Sequence, residues 1–253
     1  VRLAYTEEGA GEPAVLLLHG MACDRSHLDH QLRHLAPRHR CVSLDLRGHG
    51  ESDKPKGSYS TETFVGDLIR VIETLDLGRP VVIGHSRGGS LALALAEARP
   101  DLVHALVLLD SGIRRPAERT ADLEPFYASL GGPDHAQRVR EFVAARLLEP
   151  TDGAEVIARV EAVMGETPAH VFRAMGEGVL AFDSLAAAQA YQRPGLFVLA
   201  GRPTFLDADA VASLPDNWHV ARVVGAGHFV QMVVPDQVNA MIDRFLELAG
   251  VGA

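Results

Sequence analysis

Short apolar runs alternate with longer amphipathic stretches along most of the chain. Residues 14–18, 41–44, 81–83, 105–109, 196–199 and 220–224 are continuous or nearly continuous apolar runs. Runs of this kind read as strands, most of them covered on both faces, and residues 2–6 add an edge strand. Residues 24–35, 61–75, 86–98 and 235–248 instead carry apolar positions at helical spacing. Ser60 stands where an N-cap belongs, Pro100 closes the third helix, and Pro235 opens the last, which places Val238, Met241, Ile242, Phe245 and Leu248 on one face. Strand and helix in alternation predict an α/β fold, a mostly parallel sheet with helices on both faces.

Residues 112–190 break this rhythm. They are rich in Ala, Glu and Arg at helical spacing, interrupted by Gly and Pro, and contain Phe126, Tyr127, Phe142, Met164, Phe172, Met175 and Phe182. The expected organisation is a core of residues 1–111 and 191–253 with a helical cap of residues 112–190. Any one of these large side chains can serve only to pack the cap on itself. As a group, some of them are expected to line a pocket between cap and sheet, where ligand sites form. Phe126, Phe142 and Phe172, together with Phe229, are the candidates for substrate contact.

The chemistry concentrates at Gly84-His85-Ser86-Arg87-Gly88. A serine hydroxyl is a weak nucleophile at neutral pH and needs a base, a group that orients the base, and donors for the developing oxyanion. Ser86 falls between the run 81–83 and a helix, with glycines where a sharp strand-to-helix turn admits no side chain. That turn lifts the hydroxyl above the sheet and puts the Arg87 backbone N–H at a helix start, where negative charge is stabilised. A second donor, the N–H of Met21, is expected from His19-Gly20-Met21 after the run 14–18. His19 itself reads as a residue that shapes this loop.

Of the twelve histidines, His228 in Gly225-Ala226-Gly227-His228-Phe229 follows the last strand and precedes the last helix, at the edge where α/β sheets build sites. His27, His30 and His34 share a helical face and could suggest a metal site. Leu28, Leu32 and Leu35 take roughly the opposite face, so the three histidines are expected to point to solvent.

Composition narrows the choice of partner. The 253 residues carry a net charge of −9, which argues against nucleic acid or an anionic membrane, since either needs a basic patch. The only two cysteines, Cys23 and Cys41, lack metal-ligand spacing. With no apolar run near the length of a membrane span and no leader-like start, a cytoplasmic protein is expected. No metal and no cofactor is expected either.

Leu18-His19-Gly20, the segment from Asp45 to Asp53, Gly84-His85-Ser86-Arg87-Gly88-Gly89 and Gly227-His228-Phe229 occur in the order found in the α/β-hydrolase superfamily, which the chain resembles over nearly its whole length outside the cap. The resemblance implies that the Asp45 segment is a structural loop. It also implies an acid about three residues beyond Gly201, where this chain has Thr204. A hydroxyl cannot stabilise an imidazolium as a carboxylate does. Asp207 or Asp209 could reach back. Alternatively Asp110, at the end of the run 105–109, could serve, an arrangement similar to haloalkane dehalogenases and zearalenone-type lactonases. Asp110 is the first choice and Asp207 the second.

The expected activity is hydrolysis of a carboxylic ester or lactone with a hydrophobic moiety, by a serine nucleophile and an acyl-enzyme. A carbon–carbon bond hydrolase, a cofactor-free lyase and a slow-turnover ligand receptor are the alternatives.

Overall fold

The computed structural model describes residues 1–113, 121, 123–202 and 207–251. The strands are β1 (Tyr5–Glu8), β2 (Val15–Leu18), β3 (Cys41–Leu44), β4 (Val81–His85), β5 (Ala105–Leu109), β6 (Gly195–Leu199) and β7 (Trp218–Arg222). They form one seven-stranded sheet in the order β1-β3-β2-β4-β5-β6-β7. β1 pairs antiparallel with β3, and every other pairing is parallel.

The period of two along each strand divides the apolar runs between two layers. Leu16, Leu18, Val42, Val82, Leu106, Leu108 and Phe197 share one buried cluster with helices α2 (Thr61–Thr74) and α3 (Arg87–Ala98). Val15, Leu17, Val81, Ile83, Val107, Leu109 and Val198 share another with α1 (Asp29–Leu35) and the last helix, Pro235–Leu248. Continuous apolar sequence was therefore the signature of double coverage. Ser60 caps α2, its side chain accepting from the Thr63 N–H.

Two strands differ from expectation, and both lie at sheet edges. β1 begins at Tyr5 rather than at residue 2, and β7 begins at Trp218 rather than at 220. Edge strands are only half covered, so apolarity marks them poorly: Val220 is exposed within β7, while Trp218 is buried and donates its indole N–H to the Ala188 carbonyl at 2.9 Å.

The expected helix over residues 24–35 is a 3₁₀ turn, Arg25–Leu28, followed by α1. The tighter winding of that turn rotates His27 inward. His27 is completely buried, contrary to the solvent-facing position a single helix implied. His30 is exposed, and His34 bonds Asp243 at 2.9 Å through Nε2.

Between β5 and β6 the chain forms α4 (Leu123–Ser129), α5 (His135–Arg146), α6 (Ala154–Glu166), α7 (Ala169–Ala181) and α8 (Ser184–Ala190). Leu123, Tyr127, Val139, Val143, Val160, Met164 and Phe172 cluster with Ala22, Cys23 and Phe229. Val171 and Met175 of α7, with Leu185, Ala187 and Ala188 of α8, instead join the cluster on the sheet. The short helices α9 (Ala208–Ala212) and α10 (Val230–Val233) and the long α11 (Pro235–Leu248) complete the chain.

β3 and β4 lie on opposite sides of β2, so the winding direction changes there and opens a crevice at the strands' carboxyl ends. Gly20 follows β2 and Ser86 follows β4 at this crevice. The approach is tight: a Cβ on Gly84 would lie 2.4 Å from the Gly88 carbonyl carbon, and one on Gly88 would lie 2.2 Å from the Leu18 carbonyl oxygen. Because backbone meets backbone, no side-chain rotation relieves the clash. Gly84→Ala is expected to lose at least about 1–3 kcal/mol of stability in urea denaturation. A wild-type unfolding midpoint would contradict this packing.

Candidate active site

Ser86 occupies the turn between β4 and α3 at φ 51° and ψ −116°, a left-handed conformation that a serine adopts only when its surroundings enforce it. Its N–H donates to the Leu109 carbonyl at 2.9 Å, and its own carbonyl accepts from the Gly89 N–H at 3.1 Å.

Asp110 is the first residue past β5, and it too has a positive φ, 41°. Its N–H donates to the Val198 carbonyl at 2.8 Å, which fixes the residue against β6. The carboxylate is divided between two donors: Oδ1 accepts the Ala200 N–H at 3.0 Å, and Oδ2 lies 2.7 Å from Nδ1 of His228. Both residues are buried. A carboxylate accepts, so at this contact the proton belongs on Nδ1, which leaves Nε2 as the ring nitrogen turned away from Asp110.

The loop carrying His228 is held from several sides. The Gly227 N–H donates to Oδ1 of Asp152 at 2.9 Å, and the other oxygen of Asp152 accepts the Glu149 N–H at 2.8 Å. The His228 N–H reaches the Leu147 carbonyl at 3.4 Å, and the His228 carbonyl accepts from Nε2 of His85 at 3.0 Å. Burial, with His228 nearby, holds His85 well below the ordinary imidazole range, so its ring is neutral and donates one proton here. Asp152, a buried carboxylate from the segment between α5 and α6, carried no sequence signal of this role.

A narrow cavity joins these groups. Gly20, Met21, Cys23, His85, Ser86, Arg87, His228 and Phe229 line it from the sheet side. Leu123, Tyr127, Phe142, Leu147, Met164 and Phe172 line it from the helices between β5 and β6. Phe142, Phe172 and Phe229 were expected in this lining. Phe126 does not line it and instead stacks on Phe142 with ring centroids 4.2 Å apart. Cys23, Leu123 and Leu147 were not expected there. The Arg87 guanidinium is buried and donates to Oγ1 of Thr61 at 2.8 Å.

The second candidate acid has another task. Asp207 accepts the Asp209 and Ala210 N–H groups and so caps α9. Thr204 lies outside the described residues.

His19 and His49 fix the loops behind the site. Nδ1 of His19 bonds the Gly20 carbonyl at 2.7 Å while its Nε2 accepts the Leu46 N–H at 3.0 Å. Nδ1 of His49 bonds the Arg47 carbonyl at 2.9 Å while its Nε2 accepts the Ala22 N–H at 3.1 Å. Each ring must be neutral to act as donor and acceptor at once, and burial pushes His19 down to about 4 and His49 to about 3. Among the described residues no cluster of three or more His, Cys, Asp or Glu side chains is arranged to hold a metal ion. No helix among them is long and apolar enough to cross a membrane.

A mostly parallel sheet with this strand order, a sharp strand-to-helix turn after β4 and a histidine loop before the last helix match the α/β-hydrolase fold, and the chain belongs to that family, whose model matches residues 13–235. Among particular proteins, it is similar to the 2-(acetamidomethylene)succinate hydrolase of Mesorhizobium japonicum, at 27% identity over 98% of this chain and 92% of that protein. A thermophilic esterase from Thermogutta terrifontis superposes with a TM-score of 0.88 at 26% identity, covering 98% of this chain and 93% of the esterase. The enol-lactonase from Burkholderia xenovorans LB400 superposes with a TM-score of 0.86 at 22% identity, over 97% and 96% of the two chains, a likeness of fold.

The neutral histidines make stability depend on pH. A histidine lowered on folding contributes no penalty above its unfolded value near 6.5, and stability is lost as the pH falls from there toward the folded value. For His19 and His49 that window runs from about 6.5 down to about 4 and about 3. Each should remove about 2 kcal/mol between pH 7 and pH 5. His27, raised to about 10, works in the opposite sense but returns less than about 1 kcal/mol, because it is already charged at pH 7. Urea denaturation at the two pH values is expected to show a net loss, and equal stability at both would refute the neutral assignments.

Proposed function

We propose that this protein hydrolyses a carboxylic ester or lactone bearing a hydrophobic moiety, with Ser86 as nucleophile, His228 as base and Asp110 as the orienting acid. The observation that carries the reading is the 2.7 Å contact between Nδ1 of His228 and Oδ2 of Asp110, with His228 opening onto the same cavity as Ser86. In this reading His228 Nε2 takes the hydroxyl proton as Ser86 Oγ attacks the carbonyl carbon. The N–H groups of Met21 and Arg87 hold the oxyanion, and the imidazolium returns the proton to the leaving oxygen. Water, deprotonated by the same ring, then releases the acid from the acyl-enzyme. Every step uses side chains or N–H groups of this chain.

The apolar lining from Leu123, Phe142, Met164 and Phe172 supports a hydrophobic substrate. A second reading has one specific support, the 27% likeness to the 2-(acetamidomethylene)succinate hydrolase along 98% of this chain. In that reading the substrate is a substituted succinate and carries negative charge. Product analysis against both substrate types separates the two.

Steady-state hydrolysis of a short-chain aryl ester tests the proposal. Ser86→Ala should abolish turnover with an unchanged circular dichroism spectrum. Asp110→Asn should lower kcat by about 10³–10⁴-fold, and Asp207→Asn should stay within about twofold of wild type because Asp207 only caps an exposed helix start. Undiminished hydrolysis by Ser86→Ala would refute the nucleophile, and a wild-type rate in Asp110→Asn would refute the acid.

A further inference from the structure

The backbone of Gly227 and His228 is gripped from outside its own loop, and the helical segment between β5 and β6 supplies much of the grip. The Gly227 N–H donates to Oδ1 of Asp152 at 2.9 Å, and the His228 N–H reaches the Leu147 carbonyl at 3.4 Å. Leu147 also faces the other way: its side chain lines the cavity that holds Ser86. The residues that follow α5 therefore touch both the cavity and the backbone that carries the imidazole.

This segment is itself well anchored. The N–H groups of Leu147 and Leu148 both donate to the Val143 carbonyl, at 2.9 and 3.2 Å, where α5 ends. A 3₁₀ turn, Pro150–Asp152, comes next, and the proline ring fixes its first residue. The Asp152 N–H donates to the Glu149 carbonyl at 2.9 Å, and Oδ2 of Asp152 accepts the Glu149 N–H at 2.8 Å. One carboxylate oxygen thus belongs to the turn and the other to Gly227. The approach is close enough to require glycine, since a Cβ on Gly227 would stand 3.0 Å from Oδ2 of Asp152 and 3.0 Å from Cγ of Glu149.

We propose that Asp152 is a positioning residue for the base: its buried carboxylate fixes the Gly227-His228 backbone to the wall of the Ser86 cavity and so sets the alignment of the His228 ring against Asp110.

The choice of side chain follows from the donors it meets. Both partners are backbone N–H groups, and a carboxylate accepts at both oxygens. An amide in its place would turn an NH2 donor toward one of these N–H groups and break that link. Displacement of the Gly227-His228 peptide carries the imidazole with it, and a hydrogen bond as short as the 2.7 Å contact with Asp110 weakens steeply as its angle opens. Proton transfer in the proposed reaction is equally sensitive to the placement of the ring.

The effect on rate rests on the proposed role of His228 as base, whereas the alignment with Asp110 does not, and the experiment reads the two separately. The full chain is prepared with isotope-labelled histidine, and the downfield NMR signal of the His228 Nδ1–H, assigned by its loss in His228→Gln, is compared between wild type and Asp152→Asn. Aryl ester hydrolysis is measured in parallel, at a temperature where circular dichroism shows the variant folded. The signal should move upfield or broaden. The kcat should fall by ~10–100-fold, with KM within about threefold of wild type because the side chains lining the cavity are unchanged. Asp152→Ser, whose hydroxyl cannot bridge both donors as the carboxylate does, gives the same test if Asp152→Asn does not fold. A folded variant with the wild-type signal, or with kcat within about twofold of wild type, would overturn the assignment. A displaced signal in a protein that hydrolyses no ester would support the positioning role and count against the proposed function.

Discussion

The constraint on which the rest depends is the backbone contact between the start of α3 and the end of β2. Gly88 comes so close to the Leu18 carbonyl that a Cβ would stand 2.2 Å from its oxygen, and Gly84 is equally confined by Gly88. This closeness forces the chain to reverse within a single residue, and Ser86 absorbs the reversal at φ 51°. Backbone strain of this kind, of order 1–3 kcal/mol, is tolerable because doubly covered strands hold both sides of the turn. Leu16, Leu17, Leu18, Val82 and Ile83 are all fully buried.

From that fixed point the polar groups are arranged by burial rather than by exposure to solvent. Asp110 and His228 are 118 positions apart in sequence and meet at 2.7 Å. A buried carboxylate must find donors or lose its charge, and here the Ala200 N–H and the imidazole provide them. Around this pair, His19, His49 and His85 are each buried and neutral, and each spends ring nitrogens on backbone groups of the loops that shape the site. The loop of His228 depends further on Asp152, which links it to the helices between β5 and β6. Changes in those helices are thereby coupled to the position of the histidine.

The central strands were legible because double burial writes a continuous apolar run, as in Val15–Leu18 and Ala105–Leu109. Edge strands were less so: β7 keeps Val220 in solvent and buries Trp218 outside the expected run. Ser86 and His228 stood out as candidates because each lies beside glycines in a segment that follows a strand. The choice between Asp110 and Asp207 was only half legible, since either carboxylate could follow a strand and only tertiary contact separates one that meets an imidazole from one that caps a helix. His27 was misread for a definable reason, a 3₁₀ turn where uniform α-helical periodicity was assumed. Phe126 and Phe142 sit on neighbouring helices, and nothing in their spacing tells which ring faces the cavity and which stacks behind it. Asp152 acts through the Gly227 N–H, 75 positions away in sequence, which no local pattern encodes.

The central claim is that Ser86 is a nucleophile activated through His228 by Asp110, and its most direct test is covalent trapping. A fluorophosphonate reacts with a serine only when that serine is activated and an oxyanion site is present. Intact-mass and peptide mapping after exposure should find one adduct, on Ser86, formed much more slowly in Asp110→Asn and absent in Ser86→Ala. No adduct, or a single adduct at another residue, would contradict the account.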